Sequence, residues 1–267
     1  MGEFVIMTDS CCDMTAAMAE ELGLCVLPLS LHMGDRVYHN YLDGREIGFQ
    51  DFYARIRSGE TATTSAVNVG AFEVKMREIL GQGKDILCIN FSSALSTTYQ
   101  SATIAAADLR EEFPDSKVFV VDSLCASLGQ GLLVYLCAQE QRKGRSVEEV
   151  RDFAEATKGS ICHWFTVDDL NHLKRGGPCA PAFFGTMLSI KPVLHVDDGG
   201  HLVPVSKTRG RKASLLALVD HMEQTALDAS GGTVFISHGD CEADARFVAD
   251  EITRRFGNRD ISINFVG

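Results

Sequence analysis

Three short clusters of hydroxyl and carboxyl side chains each follow an apolar run in this 267-residue chain. Phe4-Val5-Ile6-Met7 leads into Thr8-Asp9-Ser10, residues 86–91 lead into Ser92-Ser93, and Val118-Phe119-Val120-Val121 leads into Asp122-Ser123. A helical pattern follows each cluster. Hydroxyls and free main-chain N–H groups at a helix start suit an anion, because the dipole and the donors both favour negative charge. Ser92-Ser93-Ala94-Leu95-Ser96-Thr97-Thr98 reads as such a start, and Thr63-Thr64-Ser65 is a second hydroxyl cluster in a loop before the helix carrying Phe72. Together they could hold a carboxylate or a phosphate. They could equally be caps and loop hydroxyls facing water, and capping is the preferred reading for Asp13 and Ser123.

Other chemistries find less support. A serine hydrolase would take Ser93 as nucleophile with His238 and Asp122 as helpers, but the chain has no G-x-S-x-G elbow. Neither phosphate-binding glycine motif is present, and no H-E-x-x-H or C-x-x-C suggests a metal. Lys207, Arg209, Arg211 and Lys212 form a basic cluster in an acidic chain. It reads either as a solvated face or as a patch for docking or for steering anions.

The elements that must position these residues alternate between strand and helix. Strands are expected at the three apolar runs and over residues 25–29. Helices are expected over residues 49–57, 95–113 and 128–143, around Phe72-Met76-Ile79-Leu80, and after Ser146, which pairs with Glu149 as a capping box. Such βα units imply a parallel sheet covered on both faces, with its carboxyl ends on one ligand-binding edge. After about residue 160 the pattern changes. A strand over 161–167, two short helical segments and a hairpin around Asp197-Asp198-Gly199-Gly200 come first. A helix over 213–229, a strand over 234–237, a helix over 242–256 and a strand over 261–265 follow. The expected fold is α/β, with an α/β/α domain over 1–160 and a smaller α+β domain on a mixed sheet over 161–267.

Composition sets limits. A net charge of −11 argues against nucleic-acid binding. The 9 cysteines lack metal-type spacing and read as reduced thiols of a cytoplasmic protein. No apolar run reaches the roughly 20 residues of a membrane span, and no signal peptide is visible at the start.

Several segments together resemble the DegV family of bacterial lipid-binding proteins, which includes the fatty-acid-binding subunits of fatty acid kinase. They are residues 8–14 (TDSCCDM), 28–31 (PLSL), Thr64-Ser65 before Gly70-Ala71-Phe72, 92–102 (SSALSTTYQSA), 120–131 (VVDSLCASLGQG), 165–177 (FTVDDLNHLKRGG) and 188–213. The resemblance implies two domains with an acyl chain between them. It implies a carboxylate held by Thr64 and Ser93, with Ser65, Ser92 and Ser96 as neighbours, and no cofactor. It further implies a carrier rather than an enzyme, which presents the acid to a separate kinase through Lys207, Arg209 and Lys212. Phe183, Phe184, Met187, Leu188 and Ile190, near the expected domain junction, are the candidate acyl-chain lining. A binder of another lipid or apolar carboxylate is the alternative. Two substitutions depart from the family pattern: Pro178 stands where the family commonly has Arg, and Thr97 where it has Gly. The family's closing His-x-Gly-Pro-Gly segment would follow Gly267, so no residue of this sequence is assigned to its His.

Overall fold

A computed structural model describes residues 3–168 and 190–267. Four parallel strands, β1 (Phe4–Asp9), β2 (Cys25–Leu27), β6 (Asp85–Asn90) and β7 (Val118–Asp122), form a sheet in the order β2-β1-β6-β7. Both faces are covered, and β6 shows how the sequence achieves this. Successive side chains of a strand point to opposite faces. Ile86 and Cys88 pack with Met7, with Phe72 and Met76 of α3 (Val69–Leu80) and with Ala102 and Ala105 of α4 (Thr98–Asp108). Leu87 and Ile89 pack on the other face with Ile6, with Leu133, Val134 and Cys137 of α5 (Ser127–Arg142) and with Val147 and Val150 of α6 (Val147–Thr157). Burial on both sides is why the strand reads as a continuous apolar run. α6 opens with the capping box expected from Ser146 and Glu149.

The chain runs from β1 outward through the short helix α1 (Ala16–Glu21) to β2, then returns to the other side of β1 to enter β6. The sheet therefore has a switch point between the carboxyl ends of β1 and β6, where open α/β sheets form their ligand crevice. Between β2 and β6 lies a small antiparallel sheet absent from the sequence expectation. Strands β3 (Ser30–Met33), β4 (Arg36–His39) and β5 (Ala62–Ser65) pair in the order β4-β3-β5, with α2 (Phe49–Arg57) between β4 and β5. The Thr63-Thr64-Ser65 cluster is thus strand, not loop.

The later part of the chain has β8 (Trp164–Thr166), β9 (Ile190–Val196) and β10 (Leu202–Arg209) in an antiparallel sheet, order β10-β9-β8. The expected hairpin at Asp197–Gly200 joins β9 to β10. A parallel pair, β11 (Val234–His238) and β12 (Ile261–Phe265), packs with α7 (Arg211–Thr225) and α8 (Glu242–Phe256) through Leu215, Val219, Val248 and Ile252. α7 ends earlier than periodicity suggests. Asp228 Oδ1 accepts from the Ser230 and Gly231 N–H groups and closes a turn there.

Several bonds tie early elements to late ones. Tyr53 OH donates to the Val266 carbonyl at 2.8 Å, Ser127 Oγ to Ser237 Oγ at 3.1 Å, and the Gly267 N–H to Asp13 Oδ1 at 2.9 Å. Phe49 stacks on Phe265 at 5.3 Å.

Candidate functional site

Most side chains in the three strand-end clusters are committed to holding the sheet edge together. Thr8 Oγ1 accepts from Gln130 Nε2 at 2.9 Å, and Ser10 Oγ accepts from the Leu29 N–H at 3.1 Å. Asp9 is buried at the switch point. Its carboxylate accepts from Cys11 N–H, Phe91 N–H and Asn90 Nδ2, which knits β1 to β6. Burial pushes the Asp9 carboxyl up, against the opposing pull of these hydrogen bonds. Asp122 Oδ1 accepts from both the Ser93 and the Leu124 N–H, each at 3.1 Å. Ser123 Oγ accepts from the Cys125 N–H. Contrary to expectation, Asp13 and Ser123 do not N-cap the helices that follow them; Asp13 instead closes the 3-10 turn at its carboxyl end. The N-caps are Asp9 for a 3-10 turn at Ser10–Cys12 and Thr15 for α1, while α5 starts after Ala126.

The expected anion seat at a helix starting near Leu95 does not form, because α4 begins at Thr98. Four of the nearby N–H groups have internal partners. Leu95 and Ser96 donate to the Ser92 carbonyl, Ala94 to Ser92 Oγ, and Thr98 to Ser96 Oγ. Two of the candidate hydroxyls are spent here as well. Ser92 is buried and donates to the Gly200 carbonyl at 3.0 Å, and Ser96 Oγ pairs with Thr98 Oγ1 at 3.0 Å. Ser65 Oγ lies 3.0 Å from His32 Nε2. Thr64 and Ser93 differ from all of these. Both are exposed, and neither hydroxyl has a hydrogen-bond partner among the described residues. Thr64 pairs with Leu31 across β3, which continues from the carboxyl end of β2, and Ser93 follows the carboxyl end of β6. Ser93 thus follows a strand at the switch point, and Thr64 lies on the small antiparallel sheet that the chain enters after β2.

A cavity of about 210 Å³ lies nearby, lined from the early chain by Ser10, Asp13, Asn40 and Phe49 and from the late chain by His238 and Phe265 among others. Ser10, Asp13 and His238 were singled out from sequence in other roles, whereas Thr64, Ser65, Ser92, Ser93 and Ser96, the expected carboxylate site, do not line it. It is smaller than the roughly 300–1,000 Å³ of ordinary ligand pockets. Burial holds the His238 imidazole below its ordinary pKa, opposed by Glu242 and Asp240, and its Nδ1 accepts from the Cys241 N–H. No hydrogen bond joins it to Ser93 or Asp122 among the described residues, so the hydrolase constellation is not assembled.

Of the candidate acyl-chain residues, Phe183, Phe184, Met187 and Leu188 lie outside the described residues, as does Pro178; Ile190 begins β9 and is half-buried. In the basic cluster, Lys207 and Arg209 lie on the exposed face of edge strand β10, and Lys212 is exposed at the start of α7 with its Nζ 5.6 Å from the Phe247 ring. Arg211 is half-buried and ion-paired with Asp244 at 2.8 Å. Among the described residues no cluster of metal ligands occurs, and no helix is long and apolar enough to cross a membrane.

Asp13 supplies a pH test. Burial pushes its carboxyl up to about 7, opposed by the nearby Ser127 hydroxyl and by the hydrogen bond from the Gly267 N–H. A raised folded-state pKa means that the native state holds the proton more tightly than the unfolded chain. The contribution of Asp13 to stability is therefore full below about pH 4 and is lost as pH rises through about 7, on the order of a few kcal/mol. His163, which burial lowers to about 4, has the opposite slope. Asp13→Asn removes only the first slope. Urea unfolding at pH 4.5 and 7.5 is expected to show the variant gaining on wild type at the higher pH; an unchanged difference would contradict this assignment.

The architecture is that of a DegV α/β protein, and comparison with known proteins agrees. The family profile described as "Uncharacterised protein, DegV family" matches residues 3–267, so the chain belongs to the DegV family. A DegV domain-containing protein of Clostridium perfringens is 40% identical over 100% of this chain and 92% of its own length. Among solved structures, DegV of Bacillus subtilis, a fatty acid binding protein, superposes with a TM-score of 0.85 at 26% identity, covering 100% of this chain and 93% of that one. A fatty-acid-binding DegV family protein of Thermus thermophilus superposes with a TM-score of 0.83 at 28% identity, covering 99% and 92%.

Proposed function

We propose that this protein binds a long-chain fatty acid in the cleft between an N-terminal domain (1–160) and a C-terminal domain (161–267), with the carboxylate on Thr64 Oγ1 and Ser93 Oγ. The observation that carries the reading is the pair of open hydroxyls, Ser93 after β6 and Thr64 on the sheet that follows β2, whose neighbours Ser92, Ser96 and Ser65 already have partners. The fatty acid binding named for the Bacillus subtilis and Thermus thermophilus relatives supports the ligand class. A dozen methylenes at about 0.8 kcal/mol each give on the order of 10 kcal/mol of gross burial energy. Association and ordering remove much of it. A carboxylate without donors would forfeit the rest, and two hydroxyls supply short charge-assisted bonds. This requires no cofactor, metal or general base. The protein then acts as a cytoplasmic carrier that presents the acid to a separate kinase for acyl-phosphate formation. The exposed Lys207, Arg209 and Lys212 offer a basic surface suited to an acidic partner or a nucleotide phosphate.

Native mass spectrometry of freshly purified protein tests the ligand class. A co-purified long-chain fatty acid is expected. A different lipid would move the assignment to a binder of another lipid or apolar carboxylate. An empty protein whose Ser93 reacts with a fluorophosphonate would replace the carrier reading with a hydrolase.

A further inference from the structure

The tip of the β9–β10 hairpin is built into the loop that carries Ser93. Ser92 Oγ donates to the Gly200 carbonyl at 3.0 Å, its N–H donates to the Cys125 carbonyl at 3.0 Å, and its own carbonyl accepts from Leu95 and Ser96 at 3.0 and 3.1 Å. All polar atoms of this buried residue are engaged. Gly200 fits so closely that a Cβ on it would lie 2.1 Å from Ser92 Oγ and 3.2 Å from Leu124 Cα. Its φ of +78° is also one that glycine alone adopts freely. Leu124 itself has a φ of 54°, unusual for a bulky residue, so the tip rests on a strained segment of the β7–α5 loop. Asp122 Oδ1, which accepts from Ser93 and Leu124 N–H alike, couples the two loops under the tip.

We propose that Ser92 is a positioning residue, not a ligand residue: through Gly200 the hairpin tip fixes the β6–α4 loop and thereby the direction of Ser93 Oγ. This rests on the carboxylate reading of Ser93. The mechanism is local. Cutting the Ser92–Gly200 bond frees the turn, and Ser93 Oγ then spends part of its time away from the carboxylate. Only a ligand with an anionic head senses the difference, and only while Ser93 has its hydroxyl.

The test uses the whole delipidated chain titrated with palmitic acid and with 1-hexadecanol, which has the same tail and a neutral head. Ser92→Ala is expected to weaken palmitic acid about fivefold, to leave hexadecanol within about twofold, and to have no further effect in a Ser93→Ala background. Gly200→Ala, which displaces Ser92 by steric overlap, is expected to give the same pattern. Equal loss of acid binding with and without the Ser93 hydroxyl would mean that Ser92 touches the ligand itself and would overturn the proposal. So would equal loss for acid and alcohol, or no loss for either variant. Failure of the wild type to bind palmitic acid, or a silent Ser93→Ala, would instead refute the carboxylate reading and take this proposal with it.

Discussion

Replacing Thr64 and Ser93 together by alanine should weaken palmitic acid binding about 100-fold while leaving the melting temperature almost unchanged. Hydrogen bonds to a charged group contribute about 1.5–3 kcal/mol each, and 1.4 kcal/mol is tenfold in affinity, so two such bonds lost give roughly two orders of magnitude at the low end. The stability side follows from the structure. Both side chains are exposed and neither hydroxyl bonds to another described residue, and substitutions at such positions usually stay within about 0.5 kcal/mol. Thr64 sits in a strand, where alanine loses some β preference. Thr64→Val keeps the branched shape and removes only the hydroxyl, so it should retain stability and still lose about tenfold in affinity. Titration calorimetry beside thermal unfolding checks both halves. Unchanged affinity in the double variant would remove these hydroxyls from the site.

Gly131→Ala should destabilise the fold by about 2 kcal/mol or more, although alanine is the better helix former. The intrinsic gain from replacing glycine inside a helix is about 1 kcal/mol. Against it stands an added Cβ 2.4 Å from the Cys12 carbonyl oxygen and 3.1 Å from Met14 Cγ. Overpacking costs about 1–3 kcal/mol when side chains can move aside. Here the obstacle is backbone, in the 3-10 turn Ser10–Cys12 that leads out of β1. Gly131 is thus what allows α5 to lie on the turn beside the switch point. Gly70 in α3 is the counterexample, because a Cβ there meets only Asn68 Oδ1 at an ordinary 3.5 Å. Gly70→Ala should therefore be neutral or stabilising by up to about 1 kcal/mol. Denaturant unfolding of the two variants should give opposite signs. A stabilised Gly131→Ala would mean that the close approach of helix and turn is wrong.

Where one local rule decided the structure, the sequence disclosed it. Ile86 to Ile89 announced a strand buried on both faces, Ser146 with Glu149 announced a helix start, and residues 197–200 announced a hairpin. The β3-β4-β5 sheet was hidden because its strands are four residues each and mix polar with apolar side chains. Its pairing of Ser30 with Ser65 is set by tertiary contacts rather than by local pattern. The start of α4 departs from the local pattern for a similar reason. Apolar periodicity reaches back to Leu95, but the Ser92 carbonyl captures the Leu95 and Ser96 N–H groups in a turn first. Residue type also could not rank the hydroxyls. Ser92, Ser93 and Ser96 look alike in sequence, and only their bonding partners separate the two that are spent from the one that is open. Nothing in Asp197-Asp198-Gly199-Gly200 signalled that the tip would reach Ser92.

The most direct test of the central claim is a crystal structure of the protein with palmitic acid. The account predicts carboxylate oxygens within about 3 Å of both Thr64 Oγ1 and Ser93 Oγ. A carboxylate seated elsewhere, for instance in the cavity beside Asp13 and His238, with Thr64 and Ser93 left facing solvent, would contradict it.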